Sequence, residues 1–369
     1  MFLLRGSVVS LAWRVDGRLL PDGEPCTFFV VGGRVTWEPV SRAETLVDSG
    51  WITPGLVDAH CHLGLRTGGS PVTSAGEARS LAAADRDTGV LAIRDTGSPN
   101  GFPELDELLD MPRVIRSGRH LAPPGGYLPG VAVECSSAEL PAAVAAQAAQ
   151  GHGWIKLVGD WIDDASGDLL VRWDAASVKT AVQDAHTLGV KVAAHTFSEA
   201  GAAMMVETGV DSIEHGPGLS IELLEEMARS GIALVPTMSA IATFRSIAAV
   251  AQTRYPRYAA HLRDLSAGFG SLVRAAHEIG VAVYVGTDAG CDIRHGAIAQ
   301  EMLALHRQAG MSPAQIVEAA SWRARHWLGL ANLTEGAPAD FVVYDTDPRE
   351  DLAVTRHPRR VVLHGRVVR

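Results

Sequence analysis

The segment Leu56-Val57-Asp58-Ala59-His60-Cys61-His62-Leu63 places two histidines two positions apart at the end of an apolar run. Side chains alternate between faces along an extended strand, so His60 and His62 project to the same side, about 7 Å apart along the backbone. Two imidazoles on one face can hold a divalent metal ion. Cys61, between them, turns the other way. Three more polar residues close apolar runs: His195 ends Val190-Lys191-Val192-Ala193-Ala194, His215 follows Asp211-Ser212-Ile213-Glu214, and Asp288 follows residues 281–287. Singly, each reads as a hydrogen-bonded core histidine or an Asp helix cap. Jointly, four histidines and one aspartate at strand ends point to a metal centre.

Lys156 stands in Gly153-Trp154-Ile155-Lys156-Leu157-Val158. Its head can reach solvent past the strand end or pair with an acidic neighbour. A buried ammonium beside two metal cations is disfavoured by desolvation and by like charge. Addition of carbon dioxide to the amine resolves that conflict, since the resulting carbamate is an anion able to bridge two ions.

These residues need a scaffold that brings distant strand ends to one place. The sequence predicts strands over residues 56–62, 90–95, 114–117, 154–157, 190–195, 212–214, 233–236 and 281–286. Helices are predicted over 74–88, 137–150, 174–188, 198–207, 220–230, 258–279 and 313–328, with a shorter one over 103–109. Alternating strands and helices fit a doubly wound sheet or a (β/α)8 TIM barrel. An open sheet gathers its chemistry at one switch point, whereas a barrel converges many strand ends on one mouth, so the polar strand ends select the barrel. Both ends of the chain are β-rich instead. Residues 2–9, 27–31 and 34–37 at one end, and 340–344 and 360–368 at the other, read as strands separated by turns such as Asp22-Gly23 and His364-Gly365. The expected organisation is a composite β-sandwich module from residues 1–52 and 333–369 around a barrel over 53–332.

Of the 369 residues, 47% are hydrophobic and 20% charged, which excludes a disordered chain. The net charge of −10 argues against nucleic acid or an anionic membrane as partner. Four widely spaced cysteines suit neither a disulfide scaffold nor a cysteine-rich zinc site, and a reducing cytoplasm is the expected home. Residues 1–13 lack the uninterrupted apolar stretch and cleavage site of a signal peptide. Homo-oligomerisation stays open.

Three motifs carry a family resemblance: Pro54-Gly55-Leu56-Val57-Asp58-Ala59-His60-Cys61-His62, Ile213-Glu214-His215-Gly216 and Gly286-Thr287-Asp288-Ala289-Gly290. With Gly336-Ala337-Pro338-Ala339-Asp340-Phe341-Val342-Val343 they make nearly the whole chain resemble the amidohydrolase superfamily. Lys156 directs the resemblance to its imidazolonepropionase-like and metal-dependent dipeptidase-like branch. The resemblance implies a barrel with a terminal β-sandwich and a binuclear zinc centre, with manganese or cobalt as alternatives. It further implies that His60, His62 and Asp288 bind the more buried ion, that His195 and His215 bind the second, and that Lys156 bridges them as N6-carboxylysine.

Two metal ions roughly 3.5–4 Å apart acidify a water and polarise a carbonyl, the chemistry of amide hydrolysis. Asp288 is the candidate proton shuttle to the leaving nitrogen. The loop Gly118-Arg119-His120-Leu121-Ala122-Pro123-Pro124-Gly125-Gly126-Tyr127 suggests His120 for polarising a carbonyl, and Arg119 or Tyr127 for binding a carboxylate. Related enzymes show Gly-Gly-His there, and Tyr127 takes the place of that histidine. Arg294 is a second candidate for a carboxylate, while His295 suits helix support. Asp160 and Trp161 are candidate pocket residues. The expected substrates are small: dipeptides, N-acyl amino acids or cyclic amides. A heterocycle deaminase, a lactonase or esterase, and a metal-stabilised binding protein are the competing readings. A Rossmann oxidoreductase is weaker still, since no suitable Gly-rich fingerprint follows an early strand.

Overall fold

The computed structural model describes residues 12–150 and 153–369. The strand expected over residues 2–9 lies outside them. Both terminal segments join one eight-stranded sheet, in the order Arg366–Val367, Arg360–Leu363, Phe341–Tyr344, Trp51–Pro54, Ala12–Leu19, Glu24–Val31 and Arg34–Thr36, with Glu44–Val47 also paired to Ala12–Leu19. The two ends of the chain meet where Phe341 pairs with Pro54 and Tyr344 with Trp51. Phe341-Val342-Val343-Tyr344 is apolar throughout because both of its faces are covered. Phe341 and Val343 pack with Val15, Phe28 and Ile52 inside the module, while Val342 and Tyr344 pack against Leu91 of the barrel.

The barrel strands are Leu56–Cys61, Val90–Asp95, Arg113–Arg116, Trp154–Val158, Lys191–Thr196, Ser212–His215 and Ala233–Val235. Their ladders are parallel. The eighth expected strand, over residues 281–286, has no ladder long enough to be a strand. It still links Ala233–Val235 to Leu56–Cys61 through single bonds, from Leu234 N–H to Ala282 O, Tyr284 N–H to Leu234 O and Ala59 N–H to Val285 O. On the opposite side His120–Ala122, which follows Arg113–Arg116, pairs with Trp154–Val158 at Lys156. The floor is sealed by Trp327, stacked on Tyr284 at 4.2 Å and edge-on to Trp154 at 5.2 Å.

Ser74, Asp174, Ser198 and Ser220 cap the helices Ala75–Arg86, Ala175–Thr187, Glu199–Thr208 and Ile221–Ser230 as their sequence positions suggest. Three expectations change. The helix predicted from Ser137 begins later, at Leu140–Ala148, because Ser137 Oγ accepts from Asp174 N–H instead. The long helix over 258–279 is two helices, Pro256–Ser266 and Phe269–Ile279, broken at Gly268 with φ +81°. The last helix breaks at Ser321 into Pro313–Ala320 and Trp322–Trp327, and Ser321 Oγ donates to Pro54 O at 2.7 Å, tying it to the sheet. Among the described residues, no helix is long and apolar enough to cross a membrane.

Candidate metal centre

His60 and His62 emerge from Leu56–Cys61 on one face, with Cys61 turned away into the packing beside Asp85 and His295. Asp288 is brought to them by the turn after residue 286. Its N–H donates to His60 O at 2.8 Å, and its backbone sits at φ +59°. Asp58 braces that turn, accepting from His60 N–H, Thr287 N–H and Thr287 Oγ1 at 2.5–3.1 Å. The result is a tight convergence. His60 Nε2 lies 3.3 Å from His62 Nε2, and Asp288 Oδ1 lies 3.3 Å from the first and 3.1 Å from the second.

The far nitrogens of the same rings are already engaged. His62 Nδ1 lies 2.7 Å from Gly97 O, which can only accept, so that nitrogen carries the proton. His60 Nδ1 lies 2.6 Å from Glu214 Oε2. Glu214 is buried, which alone would raise its carboxyl, yet the Arg94 guanidinium and Lys156 hold it well below the usual range. It too accepts. In the neutral rings both Nε2 atoms are therefore bare lone pairs, and they face each other and a carboxylate oxygen with no proton to share. A cation between them relieves this. Tetrahedral zinc with nitrogens at 2.0–2.1 Å separates its ligand atoms by about 3.3 Å, the spacing seen here.

His195 ends Lys191–Thr196 and His215 ends Ser212–His215 with φ +67°. Their rings lie 4.7 Å apart, and His215 is 4.9 Å from His60. His215 Nδ1 is tied to Thr237 Oγ1 at 2.7 Å. His195 Nε2 and Lys156 Nζ are buried without any hydrogen-bond partner. Burial first, then the neighbouring Lys156 charge, lowers His60; burial also holds His195 and His215 well below the ordinary histidine value, the state that ligates metal. Burial pulls Lys156 down to about 8, with Glu214 and Asp288 pulling the other way. Asp288 would be raised by burial, but the neighbouring His60, His62 and His215 rings hold it well below the usual range.

Beside His195, His215 and Asp288 opens a cavity of about 260 Å³, walled by Tyr127, Trp161, Phe197, Phe244, Ile247 and Tyr258. Tyr127 is on the wall. His120 is wholly buried behind it, its ring tilted against Tyr127 and His62 at centroid distances of 4.6 and 5.2 Å, with both ring nitrogens unpartnered. Arg119 is not on the wall: its guanidinium donates to Val131 O and Ala132 O and so pins the loop. Arg294 is exposed and off the wall as well. Trp161 lines the cavity, but Asp160 lies beneath it, accepting from Phe197 N–H, Ser198 N–H and Ser198 Oγ. His295 supports the fold through a 2.8 Å contact with Asp85.

A model of the amidohydrolase family matches residues 51–368. The chain belongs to that family. Amidohydrolase relatives along the sequence include an uncharacterized protein of Mycobacterium tuberculosis, 49% identical over 354 residues and covering 95% of this chain and 94% of that protein. The ochratoxinase of Aspergillus niger is 28% identical over 236 residues, 60% of this chain and 47% of its own length. In three dimensions, a Xaa-Pro dipeptidase with bound methionine superposes with a TM-score of 0.82 at 22% identity, over 96% of this chain and 99% of that one. This amidohydrolase is a hydrolytic enzyme.

Two buried charges of the amidohydrolase site escaped the sequence reading as site residues. Arg94 Nη2 lies 2.6 Å from Glu214 Oε1, and the same guanidinium donates to Ala59 O and Ser212 Oγ while sitting between Trp154 and Trp327. The signal available was a lone Arg in the apolar strand Val90–Asp95 and a lone Glu in Ser212–His215. Each is costly unless paired inside a barrel.

Proposed function

We propose that the enzyme hydrolyses C–N bonds of small amides at a centre of two divalent ions, zinc by default, with manganese or cobalt suited to the same donors. His60, His62 and Asp288 would hold one ion and His195 and His215 the other, with the carbamate of Lys156 as a further anionic ligand. The observation that carries this reading is the set of acceptors without a proton: His60 Nε2, His62 Nε2 and Asp288 Oδ1 within 3.3 Å of one another. Buried polar groups without partners are rare in native proteins and call for a ligand. His195 Nε2 and Lys156 Nζ are two more such groups in the same place.

When bound, such ions acidify a water molecule and polarise a carbonyl oxygen. The chain does the rest. Glu214 and Gly97 O fix the tautomers of His60 and His62, and Thr237 Oγ1 holds Nδ1 of His215, so that each ring presents Nε2. Asp288 turns Oδ1 to the two histidines, and its side chain keeps 13% exposure toward the cavity. Its other oxygen, Oδ2, can take the proton of the attacking water and return it to the leaving nitrogen. Burial leaves a neutral fraction of the Lys156 amine, with its pKa lowered to about 8. That amine adds to carbon dioxide, forming an N–C bond and losing one proton to water. The aromatic wall excludes water from the scissile bond.

The test is an amide panel scored for free amine, with esters and aminated heterocycles scored in parallel for alcohol and ammonia. Amine release, lowered about 100-fold or more in Asp288→Asn, supports the reading. Alcohol or ammonia release alone, or an unaffected variant, overturns it.

A further inference from the structure

The cavity wall has a charge pattern that selects among amides. Tyr127 meets Trp161 edge-on at 4.8 Å, Trp161 stacks on Phe197 at 6.5 Å, and Phe197 meets Phe244 edge-on at 4.8 Å, which makes a continuous aromatic surface. Apart from His195, His215 and Asp288, the one charged side chain on that wall among the described residues is Asp292.

Among the described residues, no lysine or arginine lines the cavity. Three guanidinium groups on nearby loops are committed elsewhere, and Arg294, beside Asp292 in sequence, is exposed and off the wall. Arg119 binds loop carbonyls, Arg66 pairs with Glu77 at 2.6 Å, and Arg172 pairs with Asp163 at 2.6 Å and donates to Pro124 O. Burial pushes Tyr258 up to about 12, so its hydroxyl stays neutral. Beyond the proposed metal ions, a carboxylate next to the scissile bond would meet an aromatic wall with exposed Asp292 on it and, among the described residues, no guanidinium or ammonium to answer it. Such an unpaired charge is costly, whereas an aromatic ring is favoured.

Resting on the amide-hydrolase reading, we propose that this site takes amides bearing an aromatic or other apolar group and no carboxylate beside the scissile bond. Free dipeptides and N-acyl amino acids are thereby disfavoured.

Two compounds differing only in that carboxylate provide the test: N-acetylphenethylamine and N-acetylphenylalanine. Turnover by the metal-loaded enzyme is read as amine release, and binding of each compound by isothermal titration. The neutral amide should show kcat/KM higher by about tenfold or more, and Asp292→Arg should move that ratio toward the acid by about tenfold. Asp292→Asn, which only removes repulsion, should move it less. Equal turnover, or preference for the acid in the parent enzyme, overturns the substrate class and leaves amide hydrolysis standing. Tighter binding of the neutral amide without turnover of either compound overturns the hydrolytic reading and keeps the charge selection. Neither turnover nor a binding preference overturns both.

Discussion

His60 Nδ1 lies 2.6 Å from Glu214 Oε2, and the other oxygen of the same carboxylate lies 2.6 Å from Arg94 Nη2. One buried carboxylate thus couples a candidate ligand to the charge at the centre of the barrel. It fixes His60 with the proton on Nδ1 and Nε2 bare, and it neutralises an arginine that has no other acid partner among the described residues.

Glu214→Gln separates these two roles. A carboxamide that still accepts from Arg94 offers an N–H to His60, which drives the His60 proton to Nε2 and blocks ligation. Metal affinity should fall about 10–100-fold by chelator competition. Glu214→Ala, which strands Arg94, should also lower unfolding stability by about 3–5 kcal/mol in a denaturant titration. Unchanged affinity in Glu214→Gln would remove the carboxylate from the account of the site.

If Lys156 acts as its carbamate, activation should depend on pH. Only the neutral amine adds carbon dioxide, and below its lowered value of about 8 the neutral fraction falls about tenfold per pH unit. Recovery of activity after metal removal should therefore be accelerated by bicarbonate, and be about tenfold faster at pH 7 than at pH 6. Lys156→Gln should bind fewer ions per chain and ignore bicarbonate. Reactivation at one rate across this range would contradict the carbamate.

What could be read from the sequence was the set of residues that end apolar runs: His60, His62, His195, His215 and Asp288 each close a strand or its equivalent, and strand alternation sorts them from Cys61. What could not be read depends on partners far along the chain. Glu214 and Arg94 look anomalous until barrel closure puts them 2.6 Å apart. Arg119 looks like a free cation until the carbonyls of 131 and 132 are seen around it. The helices Met238–Ala242 and Phe244–Ala251 were not expected, since neither has a side-chain cap of its own. The first is instead capped from Glu301, which accepts from Met238 N–H and Ser239 N–H.

Glu301 makes stability depend on pH. It is buried, and burial raises its carboxyl from 4.5 to about 7. The unfolded chain releases this proton from about pH 4.5 upward, whereas the folded chain keeps it to about 7. Its contribution is therefore favourable to folding below 4.5 and is lost as pH rises through this window. Denaturant midpoints between pH 4.5 and 7 should fall with a slope that Glu301→Gln reduces by about one proton. An identical slope in the variant would rule out Glu301 as its source.

Gly201 marks the tie between two loops beneath the cavity. A Cβ there would lie 1.9 Å from Asp160 Oδ2, whose carboxylate accepts from Phe197 and Ser198. Gly201→Ala should cost about 1–3 kcal/mol in unfolding stability through this overlap. It should also displace Phe197 and raise KM more than it lowers kcat. A variant of parent stability would show that the loops adjust freely.

The central claim is that bare acceptor atoms converge in order to hold metal. Its most direct measurement is elemental analysis of bound metal alongside amine release as a chelated sample is titrated with zinc. The account predicts no activity in the stripped protein and activity that rises in step with bound zinc to two ions per chain, with binding greatly weakened in a His60→Ala, His62→Ala double variant. Full activity in stripped protein, or zinc binding unchanged by that double variant, would contradict it.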